Sequence, residues 1–245
     1  MTYNSKLHLL WIICHIWVIA VLAYNFSWAF LLIGYVWYVV IKGIGSEAGA
    51  HRYFTHCSFK TKLWKEKLML WLQTLCGEGS VLTFVGMHRM HHAFSDTPND
   101  PHSPHHKPWY KVMYFIDTLH VQPRLLKGVS KNVDARLQHK IYFKLHVLLM
   151  TIGIFFPVYY GYFVALPLLL SIYTNALVNI GLHKFGTKLE NSRDESRNSA
   201  ILNLILFGAG YHANHHNNAG LYYYDNRWYV DIVGYMIRKT LLIKA

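Results

Sequence analysis

Four apolar runs divide the chain into membrane-length segments and polar connections. The first two lie at about residues 7–24 and 28–45 and are separated by a short aromatic turn. The second two lie at about residues 145–160 and 162–183, where the stretch Pro157–Tyr162 separates them. The hydrocarbon core of a bilayer requires a helix of about 20 apolar residues. The pattern therefore predicts four transmembrane helices, arranged as two hairpins.

The remaining segments, residues 46–144 and 184–245, are more polar and are predicted to form a helical cap. Within the cap, residues 68–87 are apolar but are interrupted by Gly77-Glu78-Gly79-Ser80. We expect this segment either to dip into the membrane and return or to lie buried against the helical bundle, because irregular backbone at that depth must be buried in protein. Residues 228–243 mix apolar and charged positions, which predicts an amphipathic helix on the membrane surface. The whole chain, residues 1–245, is interpreted as one domain.

Charged residues lie on one side of this predicted topology. The sequence contains 24 Lys and Arg against 12 Asp and Glu, a formal net charge of +12, and neither hairpin turn contains a Lys or Arg. Positively charged flanks remain in the cytoplasm. The predicted fold is therefore an all-α, multi-pass integral membrane protein with four transmembrane helices, both termini in the cytosol and a cytosolic cap.

Histidines are concentrated in three short boxes within the cap. These boxes contain eight of the 17 histidines: His51 and His56, then His88, His91 and His92, then His212, His215 and His216. The i, i+3, i+4 spacing of the second and third boxes places three imidazoles on one face of a helix. A ninth histidine, His183, follows Asn179 by four residues. Imidazoles bind iron, copper, nickel or zinc, so the cap is predicted to carry a di-metal site, with these ligands close together.

Other candidate ligands are assigned less direct roles. His102, His105 and His106 lie among prolines in a loop and are expected to be solvent-exposed or to support the ligands from behind. His15 lies within the first apolar run and is expected to be a packed or hydrogen-bonded residue. Cys57 follows His56 directly but is expected to be a small buried residue rather than a ligand. The three widely spaced cysteines indicate no disulfide framework.

These motifs resemble those of the membrane fatty acid desaturases, and among them the Δ9 acyl-CoA and acyl-lipid group. The similarity is contained in residues 49–56, 88–102, 179–186 and 207–216, and it extends over about residues 30–235. The resemblance implies two irons, which cycle between Fe2+ and Fe3+. By motif match the implied ligands are His51, His56, His88, His91, His92, His183, His212, His215, His216 and, through water, Asn179.

The resemblance also implies a reaction and its partners. A cis double bond, with Δ9 as the expected position, would be introduced into a saturated acyl chain with O2 and two external electrons. The substrate would be an acyl lipid, acyl-CoA or acyl-ACP, and a ferredoxin or a cytochrome b5-like protein would donate the electrons. The basic charge suits a membrane surface or an acidic partner, and nucleic acid is not expected. Phe84 and Ala209 depart from the family pattern, where a Trp and often a Glu occur.

Two further sets of residues are candidates for supporting roles. Metal-bound histidines usually donate their second ring N–H to a carboxylate, and the candidates are Glu47, Asp96, Asp100 and Asp194. Helix capping or pairing with arginines is the alternative role for each of them. Tyr35 and Val39 lie roughly three to four helical turns before His51 and could form the closed end of an acyl tunnel. Ordinary helix packing is the alternative for this pair.

Two other functions share part of this pattern. A histidine-box hydroxylase acting on an acyl chain, an alkane or a sterol would use the same ligands, and only its product would differ. A membrane zinc protein that is not an oxygenase would also use histidines. Zinc sites usually have four ligands, so ten matched positions favour two metals of higher coordination number.

Overall fold

The computed structural model describes residues 2–115 and 121–243, which are predominantly helical. The first half contains α1 (Tyr3–Tyr24), α2 (Trp28–Thr55), α3 (Leu63–Leu75), α4 (Val81–Phe94) and α5 (Trp109–Tyr114). Two 3-10 turns (Pro123–Leu126 and Val129–Lys131) lead to α6 (Val133–Phe155) and α7 (Pro157–Gly181). A two-stranded antiparallel sheet follows, formed by β1 (Thr187–Lys188) and β2 (Arg197–Asn198). The last helices of the described chain are α8 (Ala200–Leu206), α9 (His212–Asn217) and α10 (Ile232–Met236), and α10 continues as π-helix over Ile237–Leu241.

Three of the helices in the described part of the chain, α1, α2 and α7, are long and apolar enough to cross a membrane. Many of their large apolar side chains are exposed, as expected for surfaces that face lipid. The chain is therefore a multi-pass helical membrane protein. The first half of α6 carries several charged residues, so α6 as a whole does not reach the same apolar content. A crossing by its second half remains a prediction.

The second predicted hairpin has its break at a different residue. We expected helices at 145–160 and 162–183, but α6 ends at Phe155 and α7 begins at Pro157. Proline is tolerated in the first turn of a helix because its missing N–H has no partner there in any case. The Tyr159-Tyr160-Gly161-Tyr162 group consequently lies inside α7 rather than in a turn, so the predicted boundary was wrong.

Helix α2 is longer than the sequence suggested. The predicted span ended near residue 45, whereas α2 continues as π-helix from Ile41 to Thr55. Small residues permit this extension to pack closely against α3, since a Cβ atom at Gly45 would lie 2.5 Å from the backbone nitrogen of Gln73. As a result, His51 lies on a helix that begins among lipid-exposed residues, and the cap begins later than predicted.

The interrupted apolar segment forms two helices, α3 and α4, joined by a buried turn at residues 76–80. Its backbone groups are satisfied by buried side chains. The carbonyl of Gly77 accepts from the Trp11 indole at 2.9 Å, and the carbonyl of Gly79 accepts from the Gln73 amide at 2.8 Å. The amide of Gly79 donates to the Tyr142 hydroxyl at 3.2 Å. Irregular backbone is stable here because buried protein groups supply these partners in place of water.

Candidate metal centre

Each histidine box begins from a firmly held segment. Ser80 caps α4, which presents the second box at helical spacing. The Asn198 side-chain oxygen accepts from the amides of Ala213 and Asn214 at 3.0 and 3.3 Å, so it fixes the first turn of α9. Arg89 binds the carbonyls of Phe54 and Thr55 and thereby ties the second box to the first. Local helical geometry and these long-range hydrogen bonds together determine where the imidazoles point.

The structure brings the nine histidines into two compact groups. The first group contains His51, His56, His88, His92 and His215, and the second contains His91, His183, His212 and His216. Within each group, one candidate ligand atom from every residue lies within 4.8 Å of all the others. The Nε2 atoms of His51 and His215 are 3.0 Å apart, as are those of His183 and His212. Such convergence of ring nitrogens is the arrangement expected around two metal ions.

The chemistry of these nitrogens fits metal ligands. The Nε2 atom of His56 is buried and has no hydrogen-bond partner among the described residues. Burial, reinforced by the neighbouring imidazoles, lowers the pKa of His88, His92, His212 and His215 well below the usual value. Metals bind the neutral imidazole. These four imidazoles therefore present the neutral form that metal binding requires.

Four carboxylates lie behind the histidines, and each contacts a different Nδ1 atom. The distances are 3.3 Å for Glu47 to His51, 2.8 Å for Asp96 to His183, 2.9 Å for Asp100 to His91 and 2.6 Å for Asp194 to His216. A carboxylate at Nδ1 leaves Nε2 unprotonated and fixes the orientation of the ring. These are the four carboxylates that the sequence suggested, and each one has the geometry of an orienting group.

The carboxylates remain ionised in their buried positions. Burial on its own would raise the pKa of Asp100, but the hydrogen bond with His91 outweighs this effect and lowers the pKa to about 2. Burial would also raise the pKa of Asp194, but the hydrogen bond from His216 lowers it, and the pKa lies far below the usual range. Ionised carboxylates behind converging ring nitrogens make the centre a site for cations.

Tyr224 is a contact of the centre that the sequence did not indicate. Its hydroxyl lies 3.1 Å from Nδ1 of His51, and its ring lies against the guanidinium of Arg52 at 3.8 Å. Arg52 in turn forms a buried bidentate pair with Asp231, with both distances at 3.0 Å. The run Tyr222-Tyr223-Tyr224 offered no signal by which the third tyrosine could be distinguished from its neighbours.

Asn179 lies outside both groups but near the first. It is buried and lines a cavity of about 90 Å³ beside His88 and His102. The other lining residues come from helices α1, α4 and α7, from the α3–α4 turn and from the segments that follow α5. They are Asn4, Leu7, Glu78, Thr83, Phe84, Met87, Phe115, Val121 and Asn175. This cavity therefore connects His88 of the first histidine group with the interior between the membrane helices.

The loop histidines and the cysteine differ in their environments. His105 and His106 are exposed and hydrogen-bond backbone carbonyls. His102 is buried, and its amide donates at 2.7 Å to Asp100, the carboxylate that contacts His91, so each of the three has one of the two expected environments. Cys57 was expected to be buried but is exposed. It follows the end of α2 with a left-handed φ of 52°, which turns the chain outward. His15 hydrogen-bonds the Trp11 carbonyl and the Tyr173 hydroxyl, as a packed helix residue does.

The proposed tunnel residues lie on the outer part of α2. Tyr35 is 41% exposed and Val39 is half-buried. Tyr38 is the buried aromatic in this part of α2, and its hydroxyl donates to Thr174 of α7 at 3.0 Å. A role for Tyr35 and Val39 at the end of a tunnel stays a prediction.

A buried ion pair was also not foreseen. Lys42 of α2 contacts Glu78 of the α3–α4 turn at 2.5 Å, and Ser46 donates to the other oxygen of Glu78 at 2.7 Å. Lys42 also lies 3.7 Å from Glu47, the residue that contacts His51. The pair therefore joins the wall of the cavity to the metal centre.

The fold and the two histidine groups define a helical, multi-pass membrane protein with a candidate di-metal centre. The family model described as fatty acid desaturase matches residues 26–227. The chain is 33% identical to the sn-1 stearoyl-lipid 9-desaturase of a Synechocystis species, over 92% of this chain and 73% of that protein. It is 32% identical to the protein of the same name from Anabaena variabilis (78% and 73% covered) and 30% identical to Delta-9 acyl-lipid desaturase 2 of Arabidopsis thaliana (88% and 73% covered). The chain therefore belongs to the fatty acid desaturase family.

Proposed function

We propose that the protein introduces a cis double bond at the Δ9 position of a saturated acyl chain. For each double bond, one O2, two electrons and two protons are consumed and two molecules of water are formed. The observation that supports this function most directly is the convergence of nine imidazoles into two adjacent groups. The printed names of the relatives, which are stearoyl-lipid and acyl-lipid desaturases, support a glycerolipid-bound chain as the substrate.

Two irons are the proposed cofactor. The first would be held by the group that contains His51, and the second by the group that contains His183, while Asn179 would act through water. Iron would supply the capacity to activate O2 with two electrons. The protein would fix the orientation of four of these rings through the carboxylates of Glu47, Asp96, Asp100 and Asp194. The full set of proposed histidine ligands is His51, His56, His88, His91, His92, His183, His212, His215 and His216.

The cavity beside His88 supports a place for the substrate. It is lined in part by apolar side chains, including Leu7, Phe84 and Met87, and it reaches α1 and α7. Burial in this space would hold the reacting carbons next to the first histidine group and exclude bulk water. We propose that the acyl chain passes through it from the membrane.

The proposed topology has four crossings, with the second half of α6 as the additional one. Its residues Val147, Leu148, Ile152, Ile154 and Phe155 are all exposed, which favours lipid as their surroundings. Both termini and the metal centre would then lie in the cytosol. Reporter fusions after residue 188 should give a cytosolic signal, and a signal from the other side would contradict this topology.

Expression in a strain that lacks its own desaturase tests the function. Fatty acids would be analysed by gas chromatography–mass spectrometry, with double bonds located by derivatisation. The intact chain should produce a Δ9 cis-monoene, and His91→Ala should not. His106→Ala is the matched control, because this exposed imidazole lies outside both groups. A hydroxylated product would favour the hydroxylase instead.

Metal analysis separates the cofactor from the reaction. The purified chain should contain two irons, and His91→Ala should contain fewer while His106→Ala is unchanged. Zinc in place of iron, with no O2 consumption in the presence of reductant, would contradict the proposed centre even if the protein were well folded.

A further inference from the structure

The two histidine groups differ in the side chains that lie behind their rings. Three of the four carboxylates, Asp96, Asp100 and Asp194, contact rings of the second group at 2.6–2.9 Å. Within the described part of the chain, Glu47 is the one carboxylate that contacts a ring of the first group, and its distance to Nδ1 of His51 is longer, at 3.3 Å. The first group therefore depends on other side chains for the orientation of its rings.

Tyr224 contacts two rings of the first group. Its hydroxyl oxygen lies 3.1 Å from Nδ1 of His51, and the centroid of its ring lies 4.8 Å from that of His215. These two histidines converge, since their Nε2 atoms are 3.0 Å apart. The buried Nδ1 atom of His215 has no hydrogen-bond partner among the described residues, so packing holds this ring. One tyrosine thus supports both imidazoles, one through its hydroxyl and one through its ring.

A buried ion pair fixes the position of Tyr224. The amide of Tyr224 donates to the Asp231 carboxylate at 2.7 Å, and its ring lies against the Arg52 guanidinium at 3.8 Å. Arg52 is bound to the same carboxylate through both of its terminal nitrogens, and it also donates to the carbonyl of Tyr222 at 2.7 Å. Packing and hydrogen bonds of this kind hold a side chain in one orientation. The hydroxyl of Tyr224 is therefore held at His51.

The Nδ1 atom of His51 has two acceptors beside it. Its Nε2 atom converges on the other ring nitrogens, so the hydrogen of the neutral ring is carried by Nδ1. This single N–H lies 3.1 Å from the Tyr224 oxygen and 3.3 Å from the Glu47 oxygen. A donor that is shared between two acceptors forms a three-centre hydrogen bond. Loss of one acceptor is then partly compensated by the other, whereas loss of both leaves the ring without a partner.

We propose that Tyr224 is a positioning residue of the first histidine group. It holds His51 through its hydroxyl and His215 through its ring, and so does for the first group what three aspartates do for the second. The described lining of the cavity does not include Tyr224, so it acts through the histidines and not through contact with a substrate. This inference rests on the metal centre of the proposed function, but on neither the identity of the metal nor the product of the reaction.

Titration of the full chain with Co2+, after removal of bound metal with a chelator, tests this role. Cobalt binds imidazoles, and its visible absorption reports the geometry of its ligands. Tyr224→Phe removes the hydroxyl but keeps the ring against Arg52 and His215. Loss of a group that orients a ligand costs 10–100-fold in metal affinity. Because Glu47 remains, we expect the Kd of one cobalt ion to rise about tenfold, with a changed spectrum, and the Kd of the other ion to stay the same.

A double variant tests whether the two acceptors share one N–H. Glu47→Met removes the other acceptor, while Lys42 keeps Glu78 as its partner at 2.5 Å. Glu47→Met alone should weaken the same cobalt site as Tyr224→Phe. The double variant should lose more affinity than the product of the two single losses, because groups that share a partner are not independent. Losses that only multiply would overturn the assigned role of the Tyr224 hydroxyl.

Tyr223→Phe is the matched control, because it removes a hydroxyl from the neighbouring half-buried tyrosine, whose ring contacts that of Tyr222. It should bind both cobalt ions like the unmodified chain. If Tyr224 only stabilised the fold, Tyr224→Phe would lower the Tm of the metal-free chain and leave both cobalt sites unchanged or equally weakened. Either result would overturn the inference. Cobalt binding needs no O2 and no acyl chain, so this failure is distinguishable from a failure of the proposed desaturation.

Discussion

The buried pair of Lys42 and Glu78 permits a quantitative prediction. Its side chains are only 6% and 1% exposed, and their charged atoms are 2.5 Å apart. Removing one partner of a buried pair leaves an uncompensated charge and costs about 3–5 kcal/mol. Lys42→Met would leave the carboxylates of Glu78 and Glu47 facing each other without the ammonium between them. Glu78→Met would leave the ammonium with Glu47 at 3.7 Å as its remaining carboxylate.

The double variant Lys42→Met/Glu78→Met should be more stable than either single variant. It removes both charges and replaces them with side chains of similar volume, a change that is often neutral. The hydroxyl of Ser46 still loses its carboxylate acceptor, which costs about 1–3 kcal/mol for a buried donor. We therefore expect the double variant to lose about 1–3 kcal/mol, and the two single losses not to add.

Thermal unfolding in one detergent at one scan rate measures these differences. For a chain of this length, 1 kcal/mol corresponds to a change in Tm of about 2–4 °C. Each single variant should therefore lose about 6–20 °C. The exposed Lys140→Met is the matched control and should stay within about 0.5 kcal/mol of the unmodified chain. If the double variant lost as much as the two single variants together, the charges would not be coupled and the reasoning would be refuted.

Three further predictions concern the centre and the turn beside it. Asp194→Asn should weaken iron binding about 10–100-fold in a metal titration because the carboxylate that orients His216 is lost, whereas Asp225→Asn on the surface should not. Asp100 has a lowered pKa of about 2, so its stabilising contribution is complete above about pH 4 and is lost as the pH falls through about 2. The Tm values of Asp100→Asn and of the unmodified chain should therefore differ at pH 7 and converge near pH 2. Gly77→Ala should lower the Tm, because φ is +69° and a Cβ atom would collide with Leu168, and equal Tm values would show that the turn relaxes.

The sequence was most informative where spacing along one helix determines geometry. The i, i+3, i+4 pattern of the second and third boxes already placed three imidazoles on one helix face, and Glu47 precedes His51 by one helical turn. The pairings of Asp96 with His183 and of Asp194 with His216 depend on contacts between distant segments. A pattern could therefore suggest these carboxylates as candidates, but it could not assign each one to its histidine.

Features that depend on three-dimensional partners escaped the sequence. Lys42 interrupts an apolar run, and its burial follows only from the position of Glu78, which lies 36 residues away. Tyr224 contacts His51 from the other end of the chain. Two sequence features near the end of α6 favoured different boundaries. The group Tyr159-Tyr160-Gly161-Tyr162 suggested a turn, whereas the structure begins α7 at Pro157.

Charge balance explains why a buried centre of neutral imidazoles needs four carboxylates. Nine neutral histidines would not offset the four positive charges of two ferrous ions. Glu47, Asp96, Asp100 and Asp194 supply four negative charges, each at an Nδ1 atom rather than at a converging Nε2 atom. Buried charges are stable only when they are compensated. The pairs Lys42–Glu78 and Arg52–Asp231 each add no net charge, so they can position α2 without disturbing this balance. The proposed ferrous centre would thus be neutral as a whole, although every metal ligand in it is uncharged.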